Sequence, residues 1–353
     1  MEAKVLITIP NRKALGGVNY YWDAILPQLK NFDEISCKTI EIGGYGKNVL
    51  GPISDVWKFR KEIKAKTKVA VLSPSLGFKS FFRDAIFSKI LSTNTIPFIV
   101  FFHGWDLDFE KMVTNRYVNF FKSTYGNANK IIVLSPAFEK TLRSWGYKGE
   151  IVVETTAVDN DLLKDYSYSQ RFRKGDGLRI LFLSRLLKEK GVYETIEAFR
   201  NICKDYPNVQ LTIAGDGEEF NALKKYLKND KNILITGNVS GQEKIALFAE
   251  SDMYCLPSYS EGLPTSVLEA MAFGVPVITT KVGGLKSFFK DGEMGYFVAT
   301  KNALDLEQKF RLLITKPEQA NKIGENNHQF AIQNVLAGKV ANRIYGHIHD
   351  LIS

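Results

Sequence analysis

Residues 257–280 read PSYSEGLPTSVLEAMAFGVPVITT. They follow a short apolar run, Met253–Leu256, and close on a second, Pro276–Thr279, with the amphipathic stretch Thr265–Phe273 between. Strand, loop, helix and strand in that order make a βαβ unit with parallel strands. Pro264 suits the first helical turn, where a missing N–H is no loss, and Thr265 or Ser266 is placed to cap it. Backbone N–H groups at such a helix start can take an anion or hydroxyls. Two carboxylates, Glu261 and Glu269, frame the loop, and Glu269, about one turn inside the helix, can accept hydrogen bonds from a vicinal diol. Taken alone they are ordinary helix-start acids favoured by the dipole. The surrounding E-G-L-P and A-M-A-x-G-x-P-V raise the segment above that reading.

The same alternation runs outward in both directions. In the first half the expected strands are Lys4–Pro10, Lys38–Ile42, Val69–Ser73, Phe98–Phe102, Lys130–Leu134 and Ile151–Val153, with a helix from Gly17 to about Leu29. In the second, strands at Arg179–Ser184, Gln210–Ala214 and Ile233–Thr236 alternate with helices at Val192–Tyr206, Phe220–Lys228 and Gln242–Glu250. Strands buried on both faces need no polar alternation. The polar stretch Asp165–Leu178 is the expected linker. The fold class is therefore α/β, two Rossmann-like doubly wound parallel-sheet domains facing a cleft. The first domain covers 1–165 and the second 175–334, with a final helix at about 335–353. Ligands in such sheets bind beyond the carboxyl ends of the strands.

With 353 residues, 45% hydrophobic and 24% charged, the chain is globular rather than disordered. Cys37, Cys203 and Cys255 are odd in number and far apart, so neither a disulfide framework nor a zinc spacing follows. MEAKVLITIP lacks the marks of a signal peptide, and the run Ile96–Phe102 is far too short to span a bilayer. The expectation is a cytoplasmic protein. A net charge of +9 suits anionic ligands. Lys58, Arg60, Lys61, Lys64, Lys66 and Lys68 cluster, but no nucleic-acid recognition pattern accompanies them, and nucleic acid is not an expected partner.

Further candidates lie in loops after strands. Arg185 and Lys190 sit across a strand-to-helix loop that Gly191 lets turn tightly; together they could share a diphosphate, though surface charge is the reading from spacing alone. Ala214-Gly215-Asp216-Gly217 begins like a dinucleotide loop, but Phe220 stands where a third glycine belongs, which counts against an NAD enzyme. Gly16-Gly17 closes the first βα loop, Asn11–Gly17, where backbone could approach a phosphate. His103 ends a strand. Asp106-Leu107-Asp108 reads as a solvated loop rather than a metal site.

Together these elements resemble the retaining glycosyltransferases of family 4, which have the GT-B fold. The resemblance spans essentially the whole chain and is most specific over 184–295. It implies that Arg185 and Lys190 lie against the diphosphate of a nucleotide sugar, that Glu269 holds the ribose hydroxyls, and that Glu261, with the backbone of Gly262 and Leu263 before Pro264, contacts the sugar. Gly16 and Gly17 match the glycine loop near the phosphates or acceptor, and His103 the histidine near the transferred sugar; Gly215 and Gly217 are carried as donor-loop residues. The final helix is expected to cross back onto the first domain. No metal or other cofactor is implied, and a UDP-sugar is the default donor. One departure is visible: Val282-Gly283-Gly284-Leu285-Lys286-Ser287 lacks the family's Pro and Glu, so capping or sugar contacts there are expected to differ.

The implied acceptor is a glycan or lipid-linked sugar in polysaccharide or glycoconjugate synthesis. Aliphatic and aromatic residues among basic ones in 53–68 (Ile53, Val56, Trp57, Phe59, Ile63) and 78–91 (Phe81, Phe82, Phe87, Ile90) fit an anionic membrane surface, while core packing explains many of the same side chains. The competing readings are a nucleotide-sugar epimerase or hydrolase on the same fold, and a non-catalytic two-domain binding protein.

Overall fold

The computed structural model describes residues 2–12, 16–44, 51–64, 66–170 and 177–352. Parts of the expected glycine loop (13–15), basic stretch (65) and linker (171–176) thus lie outside the described residues. The chain divides into two compact units, Met1–Ala157 with Ala337–Ser353, and Val158–Leu336.

The first unit runs β1 (Ala3–Pro10), α1 (Gly17–Leu29), β2 (Ile35–Ile42), α2 (Gly51–Lys64), β3 (Val69–Leu72), β4 (Ser75–Leu76) and α3 (Phe78–Thr93). It continues through β5 (Phe98–Phe101), β6 (Gly104–Trp105), α4 (Leu107–Met112), α5 (Val118–Ser123), β7 (Lys130–Val133), α6 (Pro136–Ser144) and β8 (Glu150–Val153). Six strands form one parallel sheet in the order β2-β1-β3-β5-β7-β8. Strands β3, β5 and β7 are buried along their whole length, as an unbroken apolar run requires when helices cover both faces.

The second unit holds β9 (Arg179–Leu183), α7 (Val192–Ile202), β10 (Gln210–Ala214), α8 (Phe220–Tyr226), β11 (Ile233–Gly237), α9 (Gly241–Glu250), β12 (Met253–Leu256) and α10 (Thr265–Ala272). Then come β13 (Val277–Thr280), β14 (Gly295–Val298), α11 (Ala303–Thr315) and α12 (Pro317–Asn334). Its six parallel strands are ordered β11-β10-β9-β12-β13-β14. The chain winds outward from β9 to β11, returns, and winds the other way from β12. The direction reverses between β9 and β12, which is where doubly wound sheets open a crevice.

One expectation needs correction. The boundary falls at Ala157/Val158 rather than within Asp165–Leu178, because that polar stretch is anchored to the second unit. Tyr166 donates its hydroxyl to the Phe273 carbonyl (2.7 Å), and the Tyr168 ring stacks on His328 with centroids 4.8 Å apart. The aromatics of 53–68 and 78–91 also divide. Phe59, Ile63, Phe81, Phe87 and Ile90 belong to the core of the first unit, whereas Ile53, Trp57, Phe78 and Ile86 are exposed.

The last helix, α13 (Ala337–His349), belongs to the first unit. It buries Ala337, Val340, Ala341, Ile344 and Ile348, a 3.6-residue stripe. Arg343 forks onto the buried carboxylate of Glu154 (2.7 and 2.9 Å), and the almost fully buried Lys130 reaches Asp350 (2.9 Å). Burial alone would raise the Glu154 pKa, but the Arg343 guanidinium, the Thr155 N–H (3.0 Å) and the nearby His347 ring, 3.9 Å away, more than offset it and hold the group below its ordinary 4.5. A depressed folded pKa gives stability that is present above 4.5 and fades as pH falls. Arg343→Ala should therefore destabilise the first unit by about 2–3 kcal/mol at neutral pH, discounted from a fully buried pair because the arginine is partly exposed. Urea unfolding at pH 7 and pH 4 should show the deficit shrinking in acid.

Candidate active site

The loops that leave β9 and β12 flank the reversal point, and they carry most of the candidate residues. They are joined directly. Lys190 Nζ lies 2.7 Å from Glu261 Oε1, with both side chains largely buried, and Ser258 donates its hydroxyl to the same oxygen at 2.8 Å. The Tyr259 N–H donates to the Glu189 carbonyl at 2.8 Å, so backbone and side chains fasten one loop to the other. Gly191, at φ 76°, follows Lys190 and begins α7 without a side-chain cap; a Cβ there would stand 2.5 Å from the Pro257 carbonyl oxygen.

Arg185 projects from the same β9 loop, exposed, and no described residue takes its guanidinium. Its backbone is held from the next strand: the Leu186 N–H donates to the Asp216 carbonyl (2.9 Å) and the Glu219 N–H to the Leu186 carbonyl (3.0 Å). Gly215 and Gly217 face this backbone so closely that Cβ atoms would meet the Ser184 and Leu186 carbonyls at 1.9 and 2.5 Å. Their first job is to let the Arg185 loop pack.

In the β12 loop, Glu261 and Gly262 are half-buried while Leu263 and Pro264 are buried. Pro264 is the N-cap of α10 rather than its first helical residue, and no side chain caps this start. Ser266 is instead engaged by Tyr254, whose buried hydroxyl meets Ser266 Oγ at 2.7 Å and the Leu183 carbonyl at 2.9 Å. Glu269 lies inside α10, buried, and Lys244 Nζ of α9 sits 2.6 Å from its Oε1.

A third loop follows β13. Gly283 and Gly284 open a 3-10 turn, Gly283–Ser287, in which the Gly284 N–H donates to the Gly262 carbonyl at 2.6 Å. Ser287, at the departure from the family pattern, closes this turn by donating to the Gly284 carbonyl at 2.5 Å. The glycine loop thus buttresses the backbone that carries Glu261.

Gly16, Gly17 and His103 belong to the first unit. Gly16 caps α1 in extended conformation, and a Cβ on either glycine would meet nothing within 4 Å among the described residues. His103 follows β5 and stacks on Phe101 at 3.8 Å, with Tyr21 at 4.7 Å. Burial pulls its pKa down to about 3, so the imidazole is neutral near pH 7, and its buried Nε2 has no partner among the described residues. Asp106 caps α4 by accepting from the Asp108 and Phe109 N–H groups, and Asp108 pairs with Lys111 at 2.8 Å. The D-x-D thus opens a short helix rather than lying in a loop.

Residues 167–330 match the family described as glycosyl transferases group 1. The match lies within the second unit and contains every loop described around the reversal point. Along its whole length the chain is similar to an uncharacterized glycosyltransferase of Methanocaldococcus jannaschii, 26% identical with 93% of each chain covered. It is also similar to the capsular polysaccharide biosynthesis glycosyltransferase CapM of Staphylococcus aureus, 27% identical over 60% of this chain and 56% of the relative. Among solved structures, sucrose-phosphate synthase from Thermosynechococcus elongatus shares the fold at a TM-score of 0.76 and 18% identity, covering 99% of both chains. Anabaena HepE, solved with UDP and glucose, does so at 0.72 and 18%, over 99% of this chain and all of its own. These structural likenesses show the GT-B fold, and the family match covers residues 167–330 of the chain.

Lys244, Ser258 and Tyr254 were not among the residues singled out from the sequence. Gly283, by contrast, stands in the stretch 282–287 quoted above. Gly283, at φ 53°, would place a Cβ 2.1 Å from the Gly262 carbonyl and 2.2 Å from that of Glu261. Gly283→Ala should cost about 2 kcal/mol or more through backbone strain and displacement of the Glu261 loop. Differential scanning calorimetry should show the second unit melting roughly 4–8 °C lower.

Proposed function

We propose that the chain transfers a sugar from a nucleoside-diphosphate sugar, a UDP-sugar by default, to a hydroxyl of a glycan or lipid-linked acceptor, with retention of anomeric configuration. The observation that carries this reading is the union of the two reversal-point loops through Lys190 and Glu261, beside a buried glutamate one helix further on. In this reading the leaving diphosphate gathers charge as the glycosidic bond breaks. Lys190, the free guanidinium of Arg185 and the uncapped start of α7 are the fixed positive features that stabilise it, so the chemistry calls for no metal. Glu269 accepts the ribose hydroxyls, while Glu261 and the backbone of Gly262 and Leu263 orient the sugar. His103, neutral at working pH, offers a hydrogen bond without adding charge. The acceptor hydroxyl attacks the face the diphosphate leaves, and the departing phosphate takes its proton.

Several likenesses support the reading without fixing the substrates. HepE is described with UDP-glucose, and relatives are named for capsular polysaccharide and teichuronic acid biosynthesis. Family 4 is the class that the E-G-L-P loop resembles. Arg185→Ala should lower turnover by about 30- to 1000-fold, the equivalent of roughly 2–4 kcal/mol of transition-state stabilisation. Measured by product formation with and without acceptor, the same assay separates transfer from hydrolysis or epimerisation of the donor. Unchanged turnover in the variant would remove Arg185 from the diphosphate site.

We also propose that the first unit rests on the cytoplasmic face of an anionic membrane. Among the described residues no helix is long and apolar enough to cross a bilayer. Yet α2 and α3 expose Ile53, Trp57, Phe78 and Ile86 beside the exposed Lys58, Lys61, Lys79 and Lys89. Such a surface gains from both apolar insertion and lipid charge. Co-sedimentation with phosphatidylglycerol vesicles should be strong at low salt and weak at high salt, and Trp57→Ala with Phe78→Ala should reduce it. Absence of binding at low salt would contradict the proposal.

A further inference from the structure

Each of the two glutamates that frame the motif is paired with a lysine, but the lysines differ in kind. Lys190 belongs to the loops at the reversal point, whereas Lys244 comes from α9, a helix that bears none of the residues assigned to donor or acceptor. Its side chain is 16% exposed, and its Nζ lies 2.6 Å from an oxygen of the more buried glutamate, Glu269, whose side chain is 8% exposed. A carboxylate so buried needs a partner that satisfies it without using up its capacity to accept. The Lys244 hydrogen bond goes to Oε1. Oε2 accepts nothing from the described residues and is not sealed from solvent. One oxygen is anchored and the other is open, the arrangement a diol-binding carboxylate requires.

We infer that Lys244 is a positioning residue that holds Glu269 in its diol-accepting orientation and so sets how strongly the site prefers a ribose over a sugar lacking one of its hydroxyls. The inference rests on the reading of Glu269 as the ribose ligand. Lys244 touches neither diphosphate nor sugar in this account and acts through the carboxylate. Removing it would let the Glu269 side chain leave its rotamer and would penalise the carboxylate for its burial.

Isothermal titration with the diphosphates of uridine, guanosine and adenosine, each beside its 2′-deoxy counterpart, tests this on the wild type, Lys244→Met, Lys244→Arg, Glu269→Gln and the Lys244→Met/Glu269→Gln double variant. The wild type should favour the ribonucleotide. Lys244→Met should weaken the ribonucleotide by about 10- to 100-fold and the deoxynucleotide by no more than about threefold, collapsing the preference. Lys244→Arg should restore most of it. In the Glu269→Gln background, Lys244→Met should add almost nothing, because coupled residues are not additive. In turnover assays KM for the donor should rise far more than kcat falls. Equal weakening of both nucleotides, or additive losses in the double variant, would show that Lys244 acts by another route and overturn the inference alone. A wild type that binds none of the six nucleotides would overturn the donor reading and the inference with it.

Discussion

The contact between Lys190 and Glu261 spans the point at which the second sheet reverses its winding. Strand order alone opens a crevice there, since the chains leaving β9 and β12 depart toward opposite edges of the sheet. Something must hold the two departing loops together or the crevice has no defined shape. An ion pair between largely buried side chains, a backbone hydrogen bond from Tyr259 to Glu189, and the close approach of Gly191 to Pro257 do so. Neighbouring loops extend the same scheme. Gly215 and Gly217 press against the backbone around Arg185, and Gly283-Gly284 against that of Glu261-Gly262. Glycine recurs at these positions because backbone packs on backbone, where a Cβ would collide with a neighbouring carbonyl.

The first unit is organised around a different kind of contact. Its last helix, remote in sequence, is fixed by charges that are buried on one side: Glu154 under Arg343, and Lys130 beneath Asp350. Paired charges of this sort add less net stability than apolar packing, but they penalise any displaced register strongly because displacement leaves a buried charge alone. In the same unit the Tyr21 and His103 rings lie against each other, and the buried Tyr21 hydroxyl and His103 Nε2 each have no partner among the described residues, a departure from the usual pairing of interior groups.

The sheet strands and the motif loops were legible in the sequence because both depend on local pattern. Unbroken β-branched runs mark doubly covered strands, and E-G-L-P marks a strand-to-helix loop. What escaped were pairings across long separations. Lys244 lies 25 residues from Glu269 and Arg343 lies 189 from Glu154, and on each helix the lysine or arginine reads as ordinary solvated charge. The aromatics of α2 and α3 were unassignable for a related reason. Trp57 and Phe59 are neighbours in sequence, yet one is exposed and the other fully buried, and a helix with aromatics on both faces offers periodicity no means of choosing. The placement of Tyr166 and Tyr168 on the second unit shows the same limit: polar composition resembled a linker while two rings made the segment part of a domain. Ser266, a cap candidate by local spacing, instead accepts the buried Tyr254 hydroxyl, a tertiary partner invisible from that spacing.

The claim at the centre of this account is that the joined loops and Glu269 hold a nucleoside diphosphate. Thermal melting of the purified protein with UDP, GDP, ADP and NAD, each alone and without added metal, addresses it most directly. The account predicts that one nucleoside diphosphate raises the melting temperature selectively and that Glu269→Ala abolishes the rise. Stabilisation by NAD alone, or by none of the four, would contradict it.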